Sequence, residues 1–512
     1  FYSTLMMAVA IGAAYFAFAF VRHPAGGMTA GVLAIINPYV LQNIPNPIIL
    51  WCLALMGATG GLILRAARGA PVPPIAVALV GSLAVYLTLN PPFLAIAAAW
   101  VVLLVVLSGP LAGSSMRPRL AGRLVIRALP WAFLLSLWWL VPVALSLAAA
   151  GGSYEIVAET DVNVWAWTHA RNSVSNVLTL TSTWSWLYPE YFPYSSSLER
   201  PLWSLLRFAL PALALAAPLL AGGWRRRASL VLILVSLGLI LLGKGLHEPF
   251  AGFNEALYRY VPGMWLLREP ASKLGVALVL LYCALAAITV EAVIHAVRQR
   301  GGMRRLGVGV VSGSMVVLAA AYPYPLWTGE VIADRRPRLP SAHVRVPEDW
   351  RRLASVVNRS SIRGKVLTLP LNDYYQVPTS WGYYGSDRIP SLLLRRPSIQ
   401  FSPGGYFSLA PSYQAIVQGV QSSILNRDGS ATRRLLAALG VSHVILRKDI
   451  ALDPSRHPGR YIEQPGRLKP GLRSTPGLEL VESTPVGDLY EIEGTPIVSA
   501  QTGLLASPEE ET

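Results

Sequence analysis

Between residues 150 and 201 the sequence gathers Glu155, Glu159, Asp161, His169, Arg171, Glu190 and Glu199 with Trp165, Trp167, Trp184, Trp186, Tyr188, Tyr191 and Tyr194. Aromatic faces stack on the apolar side of a sugar ring. Carboxylates accept its hydroxyl hydrogens, and one acting as a general base removes such a proton. Read as a site, Trp165, Trp167, His169 and Tyr188 hold an acceptor sugar. Asp161, in mid-loop among aromatics, is the leading acid, with Glu159 and Glu155 behind it. The same aromatics also suit an interfacial belt at a membrane surface. A second stretch, MWLLREPASK (264–273), sets Arg268, Glu269 and Lys273 just before an apolar run. Arginine offers a phosphate a planar fork and lysine a point charge, so Arg268 and Lys273 are the candidate phosphate ligands. Snorkelling cations beside an Arg–Glu pair are the alternative. His247, Glu248 and Tyr258 lie in the same loop.

The elements that must position these residues are membrane helices. Of the 512 residues 53% are hydrophobic and only 14% charged, against about 25% charged in soluble proteins, which excludes a soluble globular chain. The net charge of +16 would suit nucleic acid, but the arginines cluster between apolar runs, where the positive-inside rule puts them. Two cysteines, Cys52 and Cys283, both inside apolar runs, exclude a disulfide framework and a cysteine zinc site outside the membrane. There is no phosphate-binding glycine loop, dinucleotide fingerprint, HExxH or GxSxG. The seven histidines are scattered.

Apolar runs long enough to span lie near 2–21, 47–65, 73–90, 93–110, 129–149, 202–221, 229–243, 274–297 and 306–326. The shorter run 29–44, with Asn37-Pro38 inside it, reads as a short span or a re-entrant helix, which predicts nine to ten spans. Four basic loops carry Arg65 and Arg68; Arg117, Arg119, Arg123 and Arg127; Arg225, Arg226 and Arg227; and Arg298, Arg300, Arg304 and Arg305. They are assigned to the cytoplasm. The alternate connections, Asn90-Pro91-Pro92, 150–201, 244–273 and everything after 327, are then exported, with Asn90 at the exported mouth. No Asp or Glu precedes Glu155. An ion-driven transporter usually carries an ionisable group in a span. Here the only prominent one is Glu291, read as an interfacial acid paired with arginine.

These patterns give residues 1–326 as a membrane domain with exported loops 150–201 and 244–273, 327–505 as a small exported α/β domain, and 506–512 as a disordered tail. In the α/β domain PEDWRRLASVVN (347–358) and ATRRLLAALG (431–440) read as helices. GKVLTLPL (364–371), VSHVILRKD (441–449), LELVES and DLYEIEG read as strands. NDYYQVPTSWGYYG (372–385) and RRPSIQFSPGGY (395–406) read as a recognition loop or a lid packed on the membrane domain.

Four segments, INPYVLQ (36–42), SVSNVLTL (173–180), LLREPASK (266–273) and RRLLAALGVSHVILRKD (433–449), together resemble the large membrane α-(1→3)-arabinofuranosyltransferases of actinobacterial cell-wall synthesis. A more distant similarity runs to multi-spanning bacterial proteins that glycosylate teichoic acids. The resemblance implies a mainly α-helical polytopic membrane protein of GT-C type in the bacterial plasma membrane, with its C-terminal domain exported. It implies transfer of arabinofuranose from a decaprenyl-phosphate donor to arabinogalactan or lipoarabinomannan. The family's catalytic carboxylate usually lies in the first exported loop. Because Glu155 is the first acid, the general base is expected upstream of Phe1 and the chain is expected to be a fragment. The group is associated with a cytoplasmic acyl carrier protein, to which the arginine segments 117–127 and 225–227 offer docking cations. No cofactor is assigned, and a divalent cation is left open. The rival readings are a non-catalytic lipid-linked-sugar transporter or wall-assembly scaffold, and a GT-C transferase using mannose or glucose.

Overall fold

The computed structural model describes residues 1–44, 46–88, 91–111, 118–149, 172–182, 200–262, 264–267, 269–299, 321–323, 327, 345–372, 377–385, 389–401, 411–451 and 463–493. The chain divides into two units, Phe1–Tyr154 with Ala158–Ile332, and Glu155–Val157 with Ala333–Thr512.

The described helices of the first unit are α1 (Tyr2–Ala17), α2 (Pro24–Ile36), α3 (Pro38–Gln42), α4 (Pro47–Ala67), α5 (Pro74–Thr88), α6 (Pro91–Leu111), α7 (Pro118–Ala149), α8 (Val174–Leu178), α9 (Pro201–Leu206), α10 (Ala209–Leu215), α11 (Ala217–Leu220), α12 (Gly223–Gly243), α13 (Ala251–Tyr260) and α14 (Pro270–Gln299). Eight of them open on proline. Its fixed φ suits the first helical position, where its missing N–H costs nothing. Among the described residues, seven helical stretches are long and apolar enough to cross a membrane: 24–42, 47–67, 92–111, 118–142, 201–220, 223–243 and 270–297. α1 and α5 are apolar but shorter, and the expected span 306–326 lies outside the described residues except for 321–323. The chain is a multi-pass membrane protein.

One expectation is corrected. Arg119, Arg123 and Arg127 lie on α7, and Arg225, Arg226 and Arg227 on the first turn of α12, rather than in loops. Arginine is a good helix former, so the helices continue past the apolar runs.

α14 is the axis of this unit. Every residue from Pro270 to Glu291 is buried, as expected of a helix that is apolar all round. α1 and α4 cross backbone against backbone. A Cβ on Gly12 would sit 2.2 Å from the Ala54 carbonyl oxygen, and one on Gly57 would sit 2.6 Å from Gly12. Helices in lipid associate through such small-residue contacts, since burying apolar surface gains little there.

The second unit is an α/β/α sandwich. Its helices are α15 (Glu348–Arg359), α16 (Ile389–Leu393), α17 (Pro411–Leu425), α18 (Gly429–Ala438) and α19 (Pro465–Arg473). Its strands are β1 (Lys365–Asn372), β2 (Val377–Pro378), β3 (Tyr384–Gly385), β4 (Ser398–Phe401), β5 (Val441–Arg447), β6 (Leu478–Ser483) and β7 (Gly487–Ile492). The main sheet runs β4-β1-β5-β7-β6. β4, β1 and β5 are parallel, while β7 lies antiparallel to both β5 and β6. Alternation sorts the strand residues to two cores. Leu367, Leu369, Val444, Leu446 and Tyr490 meet α17, α18 and α19 through Val420, Leu436 and Leu468. Val366, Ile445 and Leu489 meet Trp350, Leu353 and Val357 of α15. β5 is buried throughout, as a central strand must be.

Candidate functional site

Three of the four sequence segments named above converge at one end of the membrane unit. The convergence begins at a helix break. Pro38 cannot continue α2, and Asn37 closes the gap. Its Nδ2 donates to the Leu33 and Ala34 carbonyls at 3.0 and 2.7 Å, while its Oδ1 accepts from Val40 N–H at 3.1 Å and caps α3. Asn37 is fully buried, so the break carries its own hydrogen bonds. The chain then turns Tyr39, Gln42 and Asn43 inward. Tyr39 Oη donates to the Ser272 carbonyl on the first turn of α14. Gly275 receives the Tyr39 ring, which a Cβ there would approach to 2.3 Å. Gln42 Nε2 donates to the Leu180 carbonyl at 3.3 Å, and Tyr282 Oη reaches the Leu178 carbonyl at 3.0 Å.

The 172–182 segment is held in turn by Arg207, whose Nη1 donates to Asn176 Oδ1 at 2.8 Å. The Arg207 carbonyl accepts from Tyr322 Oη at 3.1 Å. The end of α12 closes the same region: a Cβ on Gly243 would touch Val177 at 3.0 Å and Ala271 at 3.7 Å. Next to it Lys244 is fully buried, and its ammonium donates to the His247 carbonyl at 2.5 Å. Burial pushes the Lys244 pKa down, against an upward pull from Glu248. Asn254 Nδ2 braces this turn on the Leu241 and Gly245 carbonyls at 2.7 and 2.6 Å. Gln42 Oε1 and Asn254 Oδ1 are buried acceptors with no donor among the described residues. Such acceptors suit hydroxyl groups, because an unmet buried acceptor is costly.

Of the sequence-predicted site residues, Lys273 is described. It is buried on the first turn of α14 and pairs with Glu269 at 3.6 Å. Glu269 stands just before the helix with φ +54, a strained conformation for a non-glycine residue. Lys273 is thus paired with a carboxylate at the start of the helix. Arg268, Asp161, Glu159, Glu155, Trp165, Trp167, His169, Tyr188 and Asn90 lie outside the described residues, as does 373–376 of the expected recognition loop. Among the described residues no group of three or more His, Cys, Asp or Glu is placed to hold a metal ion. Sequence reasoning missed Tyr39, Gln42, Asn176 and Arg207. The available signal was their polarity within or beside apolar runs. A separate cleft between α5 and α7, lined by Leu79, Leu83, Tyr86, Leu135 and Trp138, offers surface for hydrocarbon and no side chain charged at neutral pH.

No protein-family model and no curated protein matches the sequence. Among solved structures the chain is similar to the arabinofuranosyltransferase AftD from Mycobacteria, determined by single-particle cryo-EM. That match has a TM-score of 0.60 and 18% identity, and covers 96% of this chain and 33% of that one. Two structures of a mutant of that protein match with TM-scores of 0.60 and 0.51 and identities of 18% and 16%. They cover 95% and 96% of this chain and 34% of theirs. The chain spans about a third of the length of the chains it matches. At this identity the likeness shows the fold: a helical multi-pass membrane unit with a small α/β unit.

Proposed function

We propose that the chain is the membrane glycosyltransferase portion of a GT-C-type enzyme. In this reading it transfers arabinofuranose from a polyprenyl-phosphate donor to a cell-wall polysaccharide. The observation that carries the reading is the convergence of 36–42, 172–182 and 269–273 on one bundle end, within a fold similar to that of a membrane arabinofuranosyltransferase over nearly the whole chain. That end is the exported one in this reading, since the arginines gather at the other, and the C-terminal unit is exported with it.

Arg268 and Lys273 hold the donor phosphate, with Glu269 fixing the lysine. Trp165, Trp167, His169 and Tyr188 bind the acceptor, and Asp161, Glu159 and Glu155 are the acids nearest to it in sequence. Arg119, Arg123 and Arg127 of α7 and Arg226 and Arg227 of α12, all exposed, are the cations offered to an acidic cytoplasmic partner such as an acyl carrier protein, while Arg225 is turned inward. The test is transfer to an arabinan oligosaccharide by the purified protein in lipid, with polyprenyl-phosphoryl-arabinose and polyprenyl-phosphoryl-mannose as parallel donors. Transfer from the arabinose donor alone is expected. Transfer from mannose alone discards the sugar and keeps the reaction. Donor binding without transfer from either favours the transporter or scaffold reading.

A further inference from the structure

The arginine end of the bundle holds a second concentration of charge that the reaction does not use. Glu291, on α14, accepts through Oε2 from the backbone N–H groups of Arg22 at 2.6 Å and His23 at 3.1 Å. Through Oε1 it pairs with Arg225 at 2.6 Å. Arg225 also donates Nε to the Phe20 carbonyl at 3.1 Å. Glu291 and Arg225 therefore satisfy each other. The side chains of Arg22 and Arg68 have no carboxylate among the described residues. Both are exposed, and both stand beside this pair. The Arg68 guanidinium carbon is 5.5 Å from the Trp224 ring centroid, and that of Arg225 is 5.6 Å from the same ring. Although Arg68 is open at the surface, the partial cover of its side chain, and then the charges of Arg22 and Arg225, lower its pKa, so the like charges feel one another.

Three guanidiniums with one carboxylate leave a local surplus of two positive charges. Like charges held together are costly until an anion joins them. Guanidinium forks match phosphate oxygens two at a time. The cluster lies where α1, α4 and α12 end or begin, at the edge of the apolar stretches. That is headgroup level, where tryptophan also settles. Basic pockets between helices at this level suit lipid phosphates.

We propose that Arg22, Arg68 and Arg225, the last two against Trp224, form a phosphate seat occupied by the headgroup phosphodiester of an anionic phospholipid. Arg22 and Arg68 supply the uncommitted forks. The Arg225–Glu291 pair is the wall that positions them, and Trp224 is the flat face on which the headgroup rests.

The experiment is native mass spectrometry of the chain released from nanodiscs of mixed phosphatidylglycerol and phosphatidylcholine. Preferential retention of phosphatidylglycerol is expected. R22Q/R68Q should reduce it about thirtyfold, at about 1 kcal/mol for each of the two cations. R226Q/R227Q removes the same charge from the same end and should leave retention unchanged. Should R22Q/R68Q fail to insert, R68K keeps the charge, loses the fork, and should lower retention about threefold. Equal losses in the two double variants would overturn the seat in favour of diffuse attraction. Stabilisation by inorganic phosphate in phosphatidylcholine nanodiscs, without retention of phosphatidylglycerol, would overturn the lipid as its occupant. Loss of polyglutamate binding in R22Q/R68Q with phosphatidylglycerol still retained would reassign the cluster to an acidic protein.

Discussion

The two units spend their buried polar groups in opposite ways. In the membrane unit the donors are directed at backbone carbonyls: Tyr39 at Ser272, Gln42 at Leu180, Asn254 at Leu241 and Gly245, Tyr282 at Leu178, Thr289 at Leu213 and Tyr322 at Arg207. In the sheet unit they are directed at carboxylates. Asp449 takes hydrogen bonds from Trp350, Trp381 and Arg447 at 2.9, 2.8 and 2.8 Å, with the Arg447 guanidinium 5.2 Å from the Trp350 ring. Asp488 takes Lys448 and Lys469 at 2.7 and 2.9 Å, and Glu491 takes His443 at 3.0 Å and Ser360 at 3.1 Å. The difference follows from the solvent. An ionised carboxylate in lipid is expensive, whereas a carbonyl is a neutral acceptor already present. The membrane unit gains a fixed polar frame with no proton to exchange, and the sheet unit gains strength that depends on pH.

The sharpest way to break the comparison is Asp449→Asn. Arg447 and Asp449 are both fully buried, and removing one charge of such a pair costs about 3 kcal/mol or more. Faster hydrogen exchange over 441–447 in the intact chain would register it; a loss below about 1 kcal/mol would mean the pair is not a keystone. Next is Glu291→Gln, at an acid that, like the buried Glu269, departs from the membrane unit's habit. Weakening a charge-assisted bond to Arg225 should cost about 2 kcal/mol, read as a lower thermal midpoint in nanodiscs.

The pH dependence of the sheet unit comes third. Burial alone would raise the Asp488 pKa, but hydrogen bonds from Lys448, Ser483 and Lys469 outweigh it and hold it at about 2. A depressed carboxylate stabilises above its unfolded value, and that stabilisation fades as pH falls through the folded value. Strands β5 and β7 should therefore lose about 2 kcal/mol of protection between about pH 4 and pH 2, and more below pH 6.5 from His443. Burial first, then the charge of Arg396, lowers the His443 pKa against the pull of Glu491, so its neutral form favours folding as pH rises. Exchange in α3 over the same range should not follow these titrations. The smallest effect is that of Tyr39→Phe. Losing one hydroxyl bond to Ser272 should cost about 1 kcal/mol at any pH, and transfer kinetics would report whether the donor end has shifted with it.

Much of the architecture was legible because apolar length and strand alternation are local signals. The ends of α4, α6 and α14 follow the apolar runs and their prolines, and α15, β1, β5, β6 and β7 fall where their patterns put them. α19 was hidden by Pro470, which reads as a break but lies inside the helix. β4 has only four residues and takes meaning from its partner β1. The site was legible as fragments only. Tyr39 meets Ser272 across 233 positions and Gln42 meets Leu180 across 138, and no periodicity reports a contact of that range.

The long buried helix has one more consequence. Glu269 precedes α14, Glu291 lies on it, and buried residues run between them, almost all apolar beyond Lys273 on the first turn. At 1.5 Å per residue the two charges stand about 32 Å apart along the axis. A typical hydrocarbon layer is about 30 Å thick. α14 therefore acts as a gauge, with a carboxylate marking each boundary. Because it is clamped on all sides it cannot tilt alone to suit a thinner membrane, so the lipid around the protein must adapt its thickness to the helix.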